Sequence, residues 1–332
     1  MNETPETPAI EKKSPFSVSY EDTVDLNVGG QAVIEGVMMR SPQVIATAVR
    51  LPDGSIELKK REYISFVKRH SYLNIPIVRG AINFFEMLVI GLETLNWSAD
   101  IQIQYDDRTN PKGKKENSAF WNGVMLWGSA LFAIAAAMGI FFALPIFIAT
   151  LLGLAKGALV FNLVAGSIRL FLFVLYIYLI SLLPDIRRVF QYHGAEHMSI
   201  YALEASSALN VESARSRSRF HPRCGTSFIL IVAIFSILLF GISDSIFPLV
   251  FGHLQSYLER LATHLLLLPF VAGGSYELLK LSGKFRANRL VKLMVAPGLL
   301  LQTMTTAEPD DSMLEVALCA LNAALQREKL VS

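Results

Sequence analysis

The sequence predicts a mainly α fold: a polytopic membrane helix bundle of about four spans, with a small β-containing portion before it and an amphipathic helix after it. Three observations lead there. Of the 332 residues, 52% are hydrophobic and only 17% charged, with a mean hydropathy of +0.43, against roughly 25% charged in an ordinary soluble domain. The charges are also missing from long stretches. Between Asn117 and Pro184 the only ones are Lys156 and Arg169, and between Gly225 and Leu258 the only one is Asp244; such runs exceed the ~20 apolar residues that cross a hydrocarbon core. Finally, a β-prone, turn-punctuated run lies ahead of them, from Leu26 to Lys60.

Other classes are excluded by the same arithmetic. A net charge of +2 gives no argument for nucleic acid. Cys224 and Cys319 are the only cysteines, far apart and in unlike settings, so no disulfide framework is expected. Met1 to Tyr20 is polar, acidic and proline-bearing, unlike a secretory signal.

Taken in order, residues 1–24 read as a disordered tail without chemistry. A cytoplasmic portion follows over 25–116. Val44–Arg50 and Ser55–Lys60 flank Pro52-Asp53-Gly54, a turn in which Pro presets one dihedral and Gly accepts positive φ, so a β-hairpin is expected, with a third strand at Gln31–Glu35. Gly29-Gly30 reads as a structural turn, because no phosphate-binding or dinucleotide fingerprint accompanies it. Pro76–Trp97 is long enough to span a membrane, but Arg79, Asn83, Glu86 and Glu93 share one helical face, which favours an interfacial or bundle-edge helix over a free span. Residues 100–116 read as a charged connector.

The bundle occupies 117–283, with spans at 120–152, 158–183, 226–243 and 261–281, and an apolar but punctuated, partly re-entrant connection at 245–260. Basic residues crowd the connector before the first span, the 184–225 loop between the second and third, and the exit of the fourth, whereas the links on the other side offer only Lys156 and Arg260. By the positive-inside rule both termini are cytoplasmic, in a bacterial inner membrane whose lipid bilayer is the first partner. Arg215, Arg217, Arg219 and Arg223 read as contacts to anionic headgroups. Arg169 and Asp244, the charges well inside the spans, read either as a structural ion pair or as a polar transport pathway. In the last segment, 284–332, Ser312 to Glu315 has capping-box spacing ahead of an Ala/Leu face.

Chemistry concentrates at Arg187–Ala205. His193-Gly-Ala-Glu196-His197 fits H-x-x-E-H, the inverted zinc-protease helix motif. Residues i and i+4 lie on one helical face, so His193 and His197 can each aim a ring nitrogen at one ion, with Glu196 beside them to activate water. A catalytic zinc needs a third protein ligand. His221 and Cys224, just before the third span, and Glu277, near the cytoplasmic end of the fourth, fall at the same membrane depth. The alternatives are an interfacial Glu277 paired with Arg187 or Arg188, a closed four-ligand structural site of the two motif histidines with His221 and Cys224, and an ordinary buried thiol at Cys224.

Five blocks in order, GGQAVIEGVMMR (29–40), FQYHGAEHMSIYALE (190–204), HPRCGTSF (221–228), LLPFVAGGSYELLKLSG (267–283) and TTAEPDDSMLEVAL (305–318), make the chain resemble the YqhQ-like family of bacterial membrane proteins, from about Val28 to Leu325. That family is a domain of unknown function, also described as metal-dependent enzymes. The resemblance implies that Glu35, Arg40, His193, Glu196, His197, His221, Cys224 and Glu277 lie in signature blocks.

The expectation is therefore an integral membrane, zinc-dependent or other divalent-metal hydrolase. His193 and His197 bind the metal, Glu196 acts as base, Glu277 or His221 with Cys224 complete the shell, and the substrate is a membrane-adjacent peptide or a lipid-linked molecule. The competing expectation is a non-enzymatic scaffold or small-solute transporter in which the His/Glu cluster is a structural junction.

Overall fold

A computed structural model describes residues 28–109, 119–154, 159–205, 207–284 and 289–325; the expected tail at 1–24 lies outside them. The chain is mainly helical, with one four-stranded antiparallel sheet of order β1-β2-β3-β4. Its strands are β1 (Gly29–Val33), β2 (Gly36–Arg40), β3 (Val44–Arg50) and β4 (Ile56–Glu62). The expected hairpin and third strand are present. The additional strand β2, GVMMR, escapes an alternation test because its residues are buried on both faces.

Side chains alternate across that sheet. Val37, Met39, Ala46 and Ala48 pack with Tyr192, Met198, Leu314 and Leu321 of two helices described below, whereas Val33, Met38, Ile45 and Val49 pack with Ile90 and Met87 on the other side. β4 is an edge strand, and its exposed Lys59 and Lys60 discourage edge pairing.

The helices are α1 (Phe66–Arg69), α2 (Val78–Thr109), α3 (Ala119–Met138), α4 (Leu144–Leu151), α5 (Leu159–Ser181), α6 (Pro184–Glu204), α7 (Val211–Arg215), α8 (Gly225–Phe251), α9 (Tyr257–Lys284), α10 (Arg289–Thr305) and α11 (Asp311–Ala324). A π-helical turn, Gly139–Ala143, joins α3 to α4. Among the described residues, three stretches are long and apolar enough to cross a membrane: Leu131–Leu151, Leu159–Ser181 and Phe228–Phe251. Their surfaces carry large exposed apolar side chains, among them Phe132, Phe171 and Leu249, as a lipid-facing bundle requires. The expected fourth span corresponds to α9, a continuous helix whose terminal charges, Glu259, Arg260, Glu277 and Lys280, shorten its apolar stretch.

Several boundaries differ from expectation. The connector at 100–109 is helical, because its charges form a solvated face of α2 rather than breaking it. The re-entrant connection is largely absent: α8 runs through Pro248 to Phe251 and ends on Gly252 at φ +74°. The cap of α11 is Asp310 rather than Ser312, its Oδ1 accepting from Met313 N at 2.9 Å and from the Ser312 hydroxyl at 2.6 Å.

The intramembrane charges also pair differently. Asp244, 3% exposed, takes Arg260 Nη2 at 2.5 Å and His264 Nε2 at 2.9 Å, and Arg260 also donates to Asn162 at 2.5 Å. Arg169 instead donates from Nε to Phe141 O at 2.8 Å, a carbonyl of the π turn, and lies over the Phe142 ring. Asp244→Ala strands two donors in a dry bundle. It should lower unfolding stability by about 3 kcal/mol, read as thermal unfolding in detergent, with Asp244→Asn losing less because its amide oxygen still accepts from one of them.

Candidate metal centre

Helix α6 begins with Leu183 at its N-cap position and Pro184 in its first turn, then is buried on every side from Tyr192 to Glu204. Two contacts explain its close fit. Gly194 lies under the chain at Ala307, where an added Cβ would come 2.2 Å from Ala307 O. Ala307 N in turn donates to Phe190 O at 2.9 Å.

The motif histidines are held by the backbone. His193 Nδ1 lies 2.7 Å from Thr305 O, and His197 Nδ1 lies 2.5 Å from Arg219 O. A carbonyl only accepts, so each Nδ1 carries the proton and each Nε2 keeps its lone pair. Those two Nε2 atoms and Cys224 Sγ lie within 4.8 Å of one another. His193 Nε2 is 3.2 Å from the sulfur. His197 Nε2 is buried and takes no hydrogen bond among the described residues. Such an orphan is costly in a dry site unless something supplies a partner.

Glu196 completes the cluster. Its Oε2 stands 3.9 Å from His193 Nε2 and 3.8 Å from His197 Nε2. Burial pushes its carboxyl above the ordinary carboxylate range, with His193, His221 and a hydrogen bond from the Gly30 backbone working the other way. Burial also pushes the His197 imidazole below its ordinary value. The room for Glu196 is made by Gly30, where a Cβ would lie 2.7 Å from Glu196 Cγ and 2.7 Å from Met38 O. Gly29 and Gly30 are therefore strand residues of β1 and not the expected turn, and Gly30 lets β1 approach the carboxylate.

Cys224 sits at the N-cap of α8, its sulfur accepting from Thr226 N at 3.4 Å. Two other predicted ligands are placed elsewhere. His221 stacks near His197 at 5.5 Å between ring centroids, but its Nδ1 accepts from Arg223 N at 3.3 Å and its Nε2 faces Glu204 at 3.5 Å. It is an outer neighbour, fixed by the Gln302 amide, which accepts from His221 N and donates to His221 O, both at 2.8 Å. Glu277 is held by Arg79 through two bonds of 2.7 and 2.6 Å, not by Arg187 or Arg188.

The loop arginines have protein partners rather than bare headgroup exposure. Arg219 reaches Thr306, Arg223 pairs with Glu204, Arg215 pairs with Asp311, and Arg217 donates to Ser207 at 2.5 Å. Glu35 and Arg40 support the sheet: Glu35 is bound by Arg188 through two nitrogens, and Arg40 lies over the Tyr63 ring.

Sequence reasoning did not find Gly30, Thr305, Arg219 or Gln302. Three of them act through backbone atoms, which no residue pattern marks, and Gln302 acts on a backbone 81 residues away.

A helical chain with membrane-length apolar helices and a buried His2Cys cluster beside a carboxylate defines a membrane-type protein with a metal-competent centre. The chain belongs to the family described as "Protein of unknown function (DUF1385)", which it matches over residues 75–327. It is 34% identical over 313 residues to the "Uncharacterized protein YqhQ" of Bacillus subtilis (strain 168), covering 91% of this chain and 93% of that protein. The resemblance carried by the five sequence blocks therefore holds. No solved structure matches.

Proposed function

We propose that the chain is an integral membrane metal-dependent hydrolase, with His193, His197 and Cys224 as ligands of zinc or another divalent ion and Glu196 as general base. The observation that carries this reading is the pair of backbone-locked imidazoles whose free Nε2 atoms meet Cys224 Sγ. Metal-binding histidines donate their second nitrogen in this way, and three mixed N/S ligands leave a fourth position open, as in catalytic zinc sites. A bound ion would supply Lewis acidity toward a substrate oxygen and lower the pKa of water. The residues supply the rest. Glu196 Oε2 is within reach to take a proton, its burial raising its proton affinity toward the working range of a base. Gly30 N–H steadies the carboxylate, and His221 with Gln302 holds the wall behind His197. The substrate class is a membrane-adjacent peptide or a lipid-linked molecule.

Topology supports a site on the cytoplasmic face of a bacterial inner membrane. The N-terminal sheet packs on both α6 and α11, so these parts share one side. The chain crosses twice between the sheet and α6, through α3/α4 and α5, and once more at α8. Returning to α11 then requires α9 as the fourth span. The basic residues flanking those spans assign that side, with both termini, to the cytoplasm.

The test is elemental analysis of detergent-purified protein. About one zinc or similar ion per chain is expected, falling to background in a folded His193→Ala/His197→Ala variant. Metal-free wild type that binds no added zinc, or a variant with unchanged content, would sink the reading.

A further inference from the structure

Helix α2 starts in an unusual place. Its first turn packs on α9 with no side chain between: a Cβ on Gly80 would lie 2.9 Å from Gly273 Cα, and a Cβ on Gly273 would lie 2.1 Å from Ile77 O. The adjoining Gly274 is covered by Phe235 of α8. Phe235 stands seven residues beyond Phe228, where the apolar stretch of α8 begins, about 10 Å along the helix, which is about a third of a ~30 Å hydrocarbon core. Lower down, Phe84 meets Phe228 at the first turns of α8, with ring centroids 5.7 Å apart. Gly91 and Ser98 then touch Gln31 and Ile34 of the sheet portion. Helix α2 therefore runs from about a third of the way into the core back to the sheet.

The chain reaches that depth from the same side. Phe66 N donates to Glu86 Oε1 at 3.0 Å, which places α1 level with the lower part of α2. The chain then climbs through Tyr72 and Ile75 and turns at Ile77, a β-branched residue at φ +71°, a conformation such residues avoid unless their surroundings impose it. The bare surface of Gly273 receives the Ile77 carbonyl, and the turn bonds its own amides: Val78 N to Pro76 O, Arg79 N to Ile75 O and Ala81 N to Ile77 O, each 2.9 Å. The Arg79 charge at this depth is matched by Glu277. Satisfied backbone and paired charge are what a non-spanning segment needs within a membrane. The outward face carries large apolar side chains, with Tyr72 70%, Ile75 56%, Phe85 51%, Leu88 50% and Val89 64% exposed, alongside exposed Ser71 and Asn74 and, at its base in α1, Lys68 and Arg69.

We infer that residues 64–92 form a re-entrant hairpin whose tip, Ile75 to Gly80, enters the hydrocarbon core from the side of the sheet by about a third of its thickness, its outward apolar side chains covered by lipid acyl chains. This goes beyond an interfacial helix and rests on α8 and α9 lying in the membrane, as read above. The test is photolabelling of the intact protein in phosphatidylcholine vesicles, using a phosphatidylcholine with a diazirine at mid-chain and, in parallel, one with the diazirine on the headgroup. Peptide mass spectrometry locates the adducts.

The mid-chain probe should label Ile75, Ile77 and Val78 at the tip within about threefold of Ile234 and Leu238 of α8, the exposed residues nearest that depth. Labelling of those α8 residues with less than about a tenth of that yield on the hairpin, or hairpin labelling from the headgroup probe alone, would overturn the insertion while leaving the membrane reading intact. Absence of mid-chain adducts on α8 as well would remove the membrane reading on which the hairpin depends.

Discussion

Glu196→Gln is expected to retain its metal and lose hydrolysis by about 10²–10⁴-fold. The amide keeps the shape of the side chain and an oxygen for Gly30 N–H, but it cannot take a proton. Its Oε2 lies 3.8–3.9 Å from both ligand nitrogens, so metal content decides its role: retained metal with lost turnover makes Glu196 the base, and lost metal makes it a ligand. The same substitution should stabilise the chelated, metal-free protein. Burial raises the native pKa of Glu196 above its ordinary 4.5, so its contribution to stability is full below that value and is lost as pH rises through the native pKa. Glu196→Gln removes this loss. The variant should match wild type near pH 4 and exceed it increasingly toward pH 8, by about 1.4 kcal/mol for each unit of native shift. His197, depressed by burial, gives both proteins the opposite slope, stability being lost as pH falls below its ordinary 6.5. Thermal unfolding of the two proteins across that range reads the difference, and an unchanged gap would mean that the carboxyl carries no burial cost.

Gly30→Ala is expected to displace Glu196 and to strain the sheet. The added methyl meets Glu196 Cγ and Met38 O, each at 2.7 Å. The carboxylate side chain can swing away, but Met38 O is strand backbone, so β1 also has to shift against β2. Overpacking of this kind costs about 1–3 kcal/mol. The displaced Glu196 also loses its hydrogen bond from the Gly30 backbone, and a shift of about 1 Å in a catalytic group is worth about 10²-fold in rate. Turnover should fall at least tenfold with metal content unchanged. Gly29→Ala is the matched control, since no atom lies within 4 Å of a Cβ there; equal loss at both positions would mean that glycine matters to the strand and not to Glu196.

What the sequence could tell depended on how local each feature is. The His193, Glu196 and His197 cluster is legible because a helix puts i and i+4 together, and Cys224 because topology brings the start of α8 to the same face. Glu277 was equally plausible by depth. Its partner, Arg79, lies 198 residues away, and no spacing rule connects the two. β2 was hidden by burial on both faces, which removes alternation, and the charges at 100–109 resemble those of a connector though they sit on a helix. Gly30 belongs to the same class: glycine signals that something comes close, and only packing says what.

The Thr305 carbonyl that orients His193 comes 112 residues later in the chain. During synthesis at about 5–20 residues per second, the HGAEH segment therefore exists for roughly 6–20 s before the partner of His193 is made, although the Arg219 carbonyl that holds His197 follows only 22 residues later. In that interval α8 must enter the membrane to deliver Cys224, and α9 and α10 must follow. On the proposed reading, metal capture would then be one of the last events of biogenesis, since any chain ending before residue 305 would carry the motif without the carbonyl that orients His193.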